Sequence, residues 1–234
     1  MRDLNMHFER DEGWCIGWCA ELPDAAGNGP TYPECLQSLR ESIAGLLGVD
    51  PRELTDSNLR GEPPFRLIAE ADRMEEEIRS VFADVTREGG VSWSETEVLD
   101  AYGSELERRE ARANDTELHW TDLVKDEKWN PDCGVGGWSF IDAIGFRYYL
   151  PAAMIRCLRT RLDCGIQDHL ELPPRDNQLY DHALSKWSAL DDSQRSCVAR
   201  FIRCMILISD GDLSRQWWAQ AFDSYWSQFL PREQ

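Results

Sequence analysis

The sequence has no excess of positive charge in any part. The formal net charge is −18; residues 1–60 carry 5 basic and 11 acidic residues, residues 61–130 carry 9 and 19, and residues 131–234 carry 11 and 13. Proteins that bind nucleic acid non-specifically use Lys and Arg to neutralise phosphates. A nucleic-acid partner is therefore disfavoured, and the acidic first half favours a basic protein partner.

The sequence also lacks a long apolar run. No apolar segment follows Met1-Arg2-Asp3, and no other stretch has the length needed to cross a bilayer. We therefore expect no secretory signal, no membrane partner and a cytoplasmic location. Thiols stay reduced in that compartment, so we expect the eight cysteines to be free.

Metal-ligand spacing is absent as well. Cysteines recur as three pairs at short spacing: Cys15 and Cys19, Cys157 and Cys164, and Cys197 and Cys204. None of these pairs has the CxxC spacing of a zinc site, and the four histidines are scattered. We interpret the thiols as small apolar core residues and expect neither a metal nor a cofactor.

No catalytic motif stands out. The sequence contains neither Gly-x-Ser-x-Gly nor His-Glu-x-x-His. The glycine-rich segment 133–138 lacks the Lys-Ser/Thr of a phosphate-binding loop, so we interpret it as an elbow before Ser139, which would cap the next helix. His169 has Asp168 and Glu171 as neighbours; one interpretation is an acid–base pair, the other is solvated surface, which is typical of a polar connection. We name no catalytic residue.

The start of the chain carries the clearest pattern. Leu4 to Glu9 alternates apolar and polar residues and is followed by a charged turn that ends at Gly13. The next segment, 14–20, alternates too, and its two faces are Trp14, Ile16, Trp18 and Ala20 on one side and Cys15, Gly17 and Cys19 on the other. Alternation about a short Gly-containing turn predicts a β-hairpin.

A helix is predicted after this hairpin. Residues 21–24 follow the hairpin, and residues 25–29 are predicted to form a loop of small residues. Thr31 and Glu34 have the spacing of a capping box, with Thr31 as the N-cap. Apolar residues then follow at helical spacing until Gly48 ends the run.

This order of features resembles the N-terminal domain of HicB-type antitoxins. The matching segments are Gly13-Trp14, Glu21-Leu22-Pro23-Asp24, Gly29-Pro30-Thr31 and Glu34-Cys35. Asp24 stands where the family has Gly, Cys35 stands where it has Ala, and a long helical segment follows where the family has a short DNA-binding tail. The resemblance covers residues 4–47 and implies an αβ domain that neutralises a small basic RNA-cleaving toxin of the HicA kind.

The chain changes character after residue 49. Residues 50–64 are rich in Pro and polar residues and are interpreted as a linker with one short helical turn. Apolar periodicity predicts helices at 65–85, from Ser94 as a cap, at 120–129, 140–150, 151–162, 182–190, 191–208 and 213–229. The apolar residues expected on the buried side of the last helix are Leu213, Trp217, Ala221, Phe222, Tyr225, Trp226 and Phe229. Residues 105–117 are interpreted as a surface helix or mobile loop.

The predicted fold class is α+β. A small N-terminal antiparallel sheet with one helix (1–49) is followed by the linker (50–64) and by a mainly α-helical domain (65–234). Within that domain, the segment at residues 145–152, Gly-Phe-Arg-Tyr-Tyr-Leu-Pro-Ala, resembles a motif of an uncharacterised family of bacterial helical domains. This resemblance implies no catalytic residue, and an aromatic cluster beside Leu-Pro is typical of a packed helix corner.

We predict a non-enzymatic protein-binding module of antitoxin or immunity type, which docks a basic, toxin-like partner through its acidic N-terminal domain. The partner-facing residues are predicted on the exposed side of the hairpin and of the corner that the resemblance implies at residues 21–24: Glu9, Asp11, Glu12, Glu21 and Asp24. A role as a dimerisation module stays open.

Two alternatives also stay open. The first is an enzyme whose site lies in the helical domain near Arg147, Tyr148 and Tyr149. The second is a DNA-binding antitoxin autoregulator, for which the locally basic stretch is Arg156, Arg159 and Arg161.

Overall fold

The alternating pattern at the start of the chain forms a sheet, as predicted. The structure, a computed structural model, describes residues 4–11, 14–30, 32–54, 59–61, 63–132, 134–160, 164–209 and 212–230. The strands in these ranges are β1 (Leu4–Asp11), β2 (Trp14–Cys19), β3 (Leu22–Gly29) and β4 (Leu59–Gly61). Their order is β3-β2-β1-β4; β2 pairs antiparallel with both β1 and β3, whereas β4 pairs parallel with β1.

The prediction of a loop at residues 25–29 is wrong, because these residues belong to strand β3. Their small size has a packing reason. A Cβ on Gly27 would lie 2.6 Å from the Leu39 Cα, and a Cβ on Gly29 would lie 2.7 Å from the Cys35 backbone nitrogen. Small residues therefore let a helix approach the strand backbone closely, and their presence is typical of close packing as well as of loops.

That helix is α1 (Tyr32–Leu47), and Gly48 follows it with a φ of 67°. This is the left-handed backbone that favours Gly at a helix end; the expected cap, Thr31, lies outside the described residues. One face of α1 packs on the sheet. The core that it forms with β1–β3 and the next segment contains Leu4, Met6, Phe8, Cys15, Cys19, Ala25, Cys35, Leu39, Ile43, Ala44 and Leu54.

The segment predicted as a linker has local structure. Pro51–Glu53 forms a 3-10 turn capped by Asp50, whose Oδ1 accepts a hydrogen bond from the Arg52 backbone nitrogen at 2.9 Å. Strand β4 follows in the same segment. The chain divides into two compact units, Met1–Arg73 and Met74–Gln234, which we call the N-terminal and C-terminal units.

The C-terminal unit is mainly helical. Helix α2 (Pro63–Val81) spans the division and is followed by α3 (Trp93–Asp100), α4 (Glu105–Ala113), α5 (Trp120–Leu123), α6 (Ala143–Thr160), α7 (Tyr180–Trp187), α8 (Asp192–Ile208) and α9 (Asp212–Ser224). Short 3-10 turns lie at Gly137–Ser139, Gln167–His169 and Trp226–Phe229. With the N-terminal sheet, this architecture confirms the α+β fold class.

The start of α3 differs from the prediction by two residues. Ser92, and not Ser94, is the N-cap: the Ser92 Oγ accepts from the Glu95 backbone nitrogen, and the Glu95 carboxylate accepts from the Ser92 backbone nitrogen at 2.8 Å. The Ser94 hydroxyl instead donates to Asp115 at 2.6 Å. Both serines have a Glu three residues later, so spacing alone could not separate them.

Helix α6 also differs from the prediction. Ser139 lies in a 3-10 turn and does not cap it; the Asp142 Oδ1 accepts from the Gly145 backbone nitrogen at 2.8 Å at the start of the helix. The helix then continues through Pro151 instead of restarting there. Residues 148–155 are all buried, so tertiary packing holds the helix together despite the missing Pro N–H.

The buried side of the last helix was predicted in part. Ala221 and Trp226 are buried as predicted, but Leu213 and Trp217 are exposed. Trp217 is 44% exposed, and its neighbour Trp218 is buried in its place. The prediction treated residues 213–229 as one helix. The structure ends α9 at Ser224 and places Trp226 in a separate 3-10 turn. One helical period over residues 213–229 therefore could not describe the buried residues of both elements.

Candidate protein-docking surface

Among the described residues, helix α1 packs on one face of the N-terminal sheet, and the side chains of β2 on the other face are exposed. Alternation along β2 places Cys15, Gly17 and Cys19 in the core beneath α1. The opposite face shows Trp14, Ile16 and Trp18, whose exposed fractions are 53%, 41% and 39%. Sequence reasoning placed these three residues on one face but did not assign that face to solvent. The signal for the assignment is the glycines, because Gly17, Gly27 and Gly29 leave room for a helix only on their own side.

The neighbouring strands complete the uncovered face. On β1, His7 pairs with Trp18 and Glu9 pairs with Ile16; the His7 and Trp18 rings stack at 18° with their centroids 5.7 Å apart. On β3, the exposed positions alternate with buried Ala25 and glycines. We define the open face as Trp14, Ile16 and Trp18 with His7, Glu9, Asp24, Ala26 and Asn28.

The structure brings two of the five predicted partner-facing residues to the open face. Glu9 and Asp24 are exposed, and strand alternation places both on the side of the Trp14–Trp18 row. The backbone of Asp11 pairs with that of Trp14, but its side chain lies outside the described residues, as does the whole of Glu12.

The fourth predicted residue, Glu21, has an internal role. Its Oε2 accepts a hydrogen bond from the Asn5 backbone nitrogen at 2.7 Å, and its Oε1 accepts from the Asn5 side-chain amide at 2.5 Å. The Cys19 thiol also donates to it at 3.5 Å. The hydrogen bond from the Asn5 backbone is the main cause that lowers the pKa of Glu21. The Glu21 carboxylate therefore ties β1 to the β2–β3 turn.

The residues considered for an enzymatic site, Arg147, Tyr148 and Tyr149, lie in helix α6. Tyr149 is buried, and its hydroxyl receives a hydrogen bond from the Trp93 backbone nitrogen at 2.9 Å and contacts Glu117 at 3.0 Å. Arg147 instead forms an ion pair with Glu88 at 3.0 Å. Burial raises the pKa of both Tyr148 and Tyr149 well above that of an ordinary phenol, so neither is suited to accept or release a proton near neutral pH.

An ionic network surrounds Tyr149. The Arg87 Nη1 lies 2.9 Å from an Asp115 oxygen, 2.7 Å from a Glu117 oxygen and 2.9 Å from the Tyr149 hydroxyl. The Asp115 and Glu117 side chains are only 5% and 9% exposed. The surface helix predicted in residues 105–117 is confirmed as α4, whereas the end of this stretch supplies two nearly buried carboxylates.

A cavity of about 280 Å³ adjoins this network and is lined by Trp93, Ser94, Glu97, Asn114, Asp115, Thr116, Glu117, Leu123, Asp126, Lys128, Trp129 and Asn130. Its two nearly buried carboxylates already have partners in Arg87 and Ser94. Both carboxylates therefore already have hydrogen-bond partners, and the cluster is a structural network of the C-terminal unit.

The basic stretch considered for DNA binding is engaged in internal contacts. The Arg156 guanidinium donates to the Trp129 carbonyl oxygen, and Arg159 forms an ion pair with Glu75 at 2.8 Å. Arg161 lies outside the described residues. Two of the three guanidinium groups are thus committed within the C-terminal unit, so the stretch gives no support to phosphate binding.

The cysteines pack as small apolar residues, as predicted. Within the described ranges no two cysteines form a disulfide, and six of the cysteines are buried: Cys15, Cys19, Cys35, Cys157, Cys197 and Cys204. Burial is the main cause that raises the pKa of the Cys19 and Cys197 thiols. The described part of the chain holds no group of three or more His, Cys, Asp or Glu side chains arranged to bind a metal ion.

The structure thus defines an α+β protein. Its N-terminal sheet exposes Trp14, Ile16 and Trp18 together with the carboxylates of Glu9 and Asp24, and its helical unit contains a nearly buried ionic network. Residues 70–230 match the family described as "Family of unknown function (DUF6714)". Because this match spans more than half of the chain, the protein belongs to that family. No curated protein and no solved structure matches the chain. Among the described residues, no helix has the length and apolar character needed to cross a membrane.

Proposed function

We propose that the N-terminal unit is a non-enzymatic docking module of antitoxin or immunity type, which binds a basic partner protein through the open face. The observation that carries this proposal is the row of Trp14, Ile16 and Trp18, exposed on a strand that has a neighbour on each side. A sheet that only supported α1 would place polar residues on its solvated face.

The row of Trp14, Ile16 and Trp18 has a composition typical of the central part of a protein–protein interface. Trp is enriched among the residues that contribute most to binding, because its large surface excludes water from neighbouring contacts. Adjacent apolar side chains on a rigid strand also lose little conformational freedom on binding. We therefore assign most of the binding free energy to Trp14, Ile16 and Trp18.

Charge determines the kind of partner. The carboxylates of Glu9 and Asp24 lie on the open face, and residues 1–60 carry 11 acidic and 5 basic residues. Opposite charge on the partner speeds encounter and disfavours acidic competitors. The resemblance of residues 4–47 to HicB-type antitoxins implies the same partner class, a small basic RNA-cleaving protein.

The proposal predicts that the chain co-purifies with a small basic protein encoded beside it. Co-expression with the product of each neighbouring reading frame tests this, and calorimetry then measures the dissociation constant. The double variant Glu9→Lys/Asp24→Lys is expected to weaken binding by at least about tenfold at low salt, and less at high salt, because the added charges repel a basic partner. Glu21 is left unchanged, since its substitution would break the hydrogen bonds to Asn5.

Leu46→Ser is the matched control, because Leu46 is half exposed but lies on α1, away from the open face. This variant is expected to bind as tightly as the parent chain. Several results would contradict the proposal: no basic neighbour co-purifies, the double variant binds with unchanged affinity, or sedimentation shows a homodimer that the double variant dissociates.

A further inference from the structure

Lysine is rare in this protein and has one unusual position. The sequence contains 3 lysines among its 25 basic residues. Lys125 and Lys128 are exposed, whereas Lys186 on α7 is only 4% exposed. Arginine cannot lose its proton under ordinary conditions, but lysine can, and burial favours this loss. A buried lysine in an arginine-rich chain therefore points to amine chemistry.

The contacts of Lys186 include no carboxylate in the described part of the chain. Its Nζ donates to the Trp138 carbonyl oxygen at 2.6 Å and lies 3.4 Å from the His169 Nδ1. An ammonium group can donate three hydrogen bonds, so these two contacts leave capacity for one more. Buried lysines that serve only as structural cations are usually paired with a carboxylate.

The side chain lines a cavity of about 290 Å³, which is at the small end of ligand-binding pockets. Apolar atoms come from Pro173, Leu179 and Ala183. The other lining residues are Ser139, Asp168, His169, Glu171 and His182. The segment 168–171, for which the sequence left solvated surface and an acid–base pair open, thus forms one wall, and His169 is partly buried.

The electrostatics of the cavity favour a neutral amine. Burial lowers the pKa of Lys186 to about 8, so a substantial fraction is uncharged at mildly alkaline pH. Burial, and then the charge of Lys186, lowers the pKa of His169 to about 3, and burial also lowers that of His182. The other titratable groups lining the cavity are Asp168 and Glu171, and Glu171 accepts a hydrogen bond from Gln220 at 2.7 Å.

We propose that Lys186 is a reactive amine that condenses with a small uncharged aldehyde or ketone admitted to this cavity. The Lys186 Nζ lone pair forms a C–N bond to the carbonyl carbon as the C=O π bond breaks, giving a carbinolamine. The nitrogen then loses its protons, the oxygen leaves as water, and a C=N bond remains, so amine and carbonyl become imine and water without net oxidation or reduction. The carboxylates of Asp168 and Glu171 at the cavity wall disfavour anionic carbonyl compounds.

Reductive trapping tests this site in the full-length folded chain. The protein is incubated with propanal and sodium cyanoborohydride, which reduces the imine to a stable amine, and peptide mass spectrometry measures propylation of each lysine from pH 6 to 9. Lys125 and Lys128 serve as internal standards with exposed amines. At pH 8 we expect Lys186 to be propylated at least about tenfold more than either standard, because ordinary lysines titrate near pH 10.4.

Filling the cavity provides the control. Ala183→Leu is expected to suppress propylation of Lys186 about tenfold without changing Lys125 or Lys128, whereas Ser185→Ala, an exposed position on the same helix, should change none of them. If Ala183→Leu does not fold, as judged by circular dichroism, Leu179→Phe replaces it. Propylation of Lys186 at or below the level of the exposed lysines, or unchanged by cavity filling, would overturn the proposal.

Discussion

Gly27→Ala is expected to destabilise the N-terminal unit by about 3 kcal/mol, the upper end of the usual cost of overpacking. The added methyl group would lie 2.6 Å from the Leu39 Cα and 2.8 Å from the Cys35 carbonyl oxygen. Both are backbone atoms of α1, so no side-chain rotation relieves the clash and the helix itself must move. Amide hydrogen exchange of β3 and α1 measures the loss directly, since it reports the two units of the chain separately.

Gly45→Ala is the matched control for this prediction. Gly45 lies in α1, and an added Cβ there would meet no atom within 4 Å. Ala has a higher helix propensity than Gly, so this variant is expected to stabilise the unit by about 0.5–1 kcal/mol. If both substitutions have the same effect, close packing of α1 on β3 does not explain the small residues of that strand.

Arg87→Met is expected to destabilise the C-terminal unit by about 3–5 kcal/mol, the usual cost of removing one partner from a buried ion pair. Arg87 contacts Asp115, Glu117 and Tyr149 through a single nitrogen atom. Methionine fills similar space but leaves two nearly buried carboxylates without a cation. Denaturant unfolding followed by circular dichroism gives the change in the free energy of unfolding.

Arg109→Met tests whether this effect belongs to the buried network. Arg109 forms an ion pair with Glu105 at 3.3 Å, but both side chains are mostly exposed. Surface ion pairs contribute about 0–1 kcal/mol, so this variant is expected to be nearly as stable as the parent. Comparable losses from both substitutions would mean that the Arg87 network is not a stabilising core of the unit.

Much of the fold follows from local patterns that have a single structural explanation. Alternation predicted β1 and β2, and apolar periodicity predicted a helix from residue 191, where the structure shows the Asp191 carboxylate accepting from the Gln194 backbone nitrogen at 2.8 Å. The helical turn after Asp50 was likewise predicted from its proline. In each case the neighbouring residues alone determine the backbone conformation.

The errors occur where tertiary contacts decide between two local possibilities. Small residues 25–29 fit a loop as well as a strand until α1 is placed above them. Adjacent Trp217 and Trp218 both fit a helical period, and only the end of α9 at Ser224 selects Trp218 for burial. Strand β4, at Leu59–Gly61, is three residues long and carries no period of its own.

The candidate site was predicted in part. The acidic residues Glu9 and Asp24 were assigned to the exposed side of the hairpin, and the structure places them on the open face. The aromatic row was not assigned to solvent, because hydrophobicity alone favours burying Trp and Ile over Cys and Gly. The contacts of Glu21 with Asn5 and of Lys186 with Trp138 join residues far apart in the sequence, so no spacing pattern could predict them.

Oxidative footprinting of tryptophans in the complex with the basic partner tests the central claim most directly. Trp14, Trp18 and Trp217 have similar exposed fractions of 53%, 39% and 44%, and Trp217 lies in the other unit. Binding through the open face predicts that oxidation of Trp14 and Trp18 falls several-fold in the complex while oxidation of Trp217 stays constant. Unchanged oxidation of Trp14 and Trp18 in a saturated complex would contradict the account.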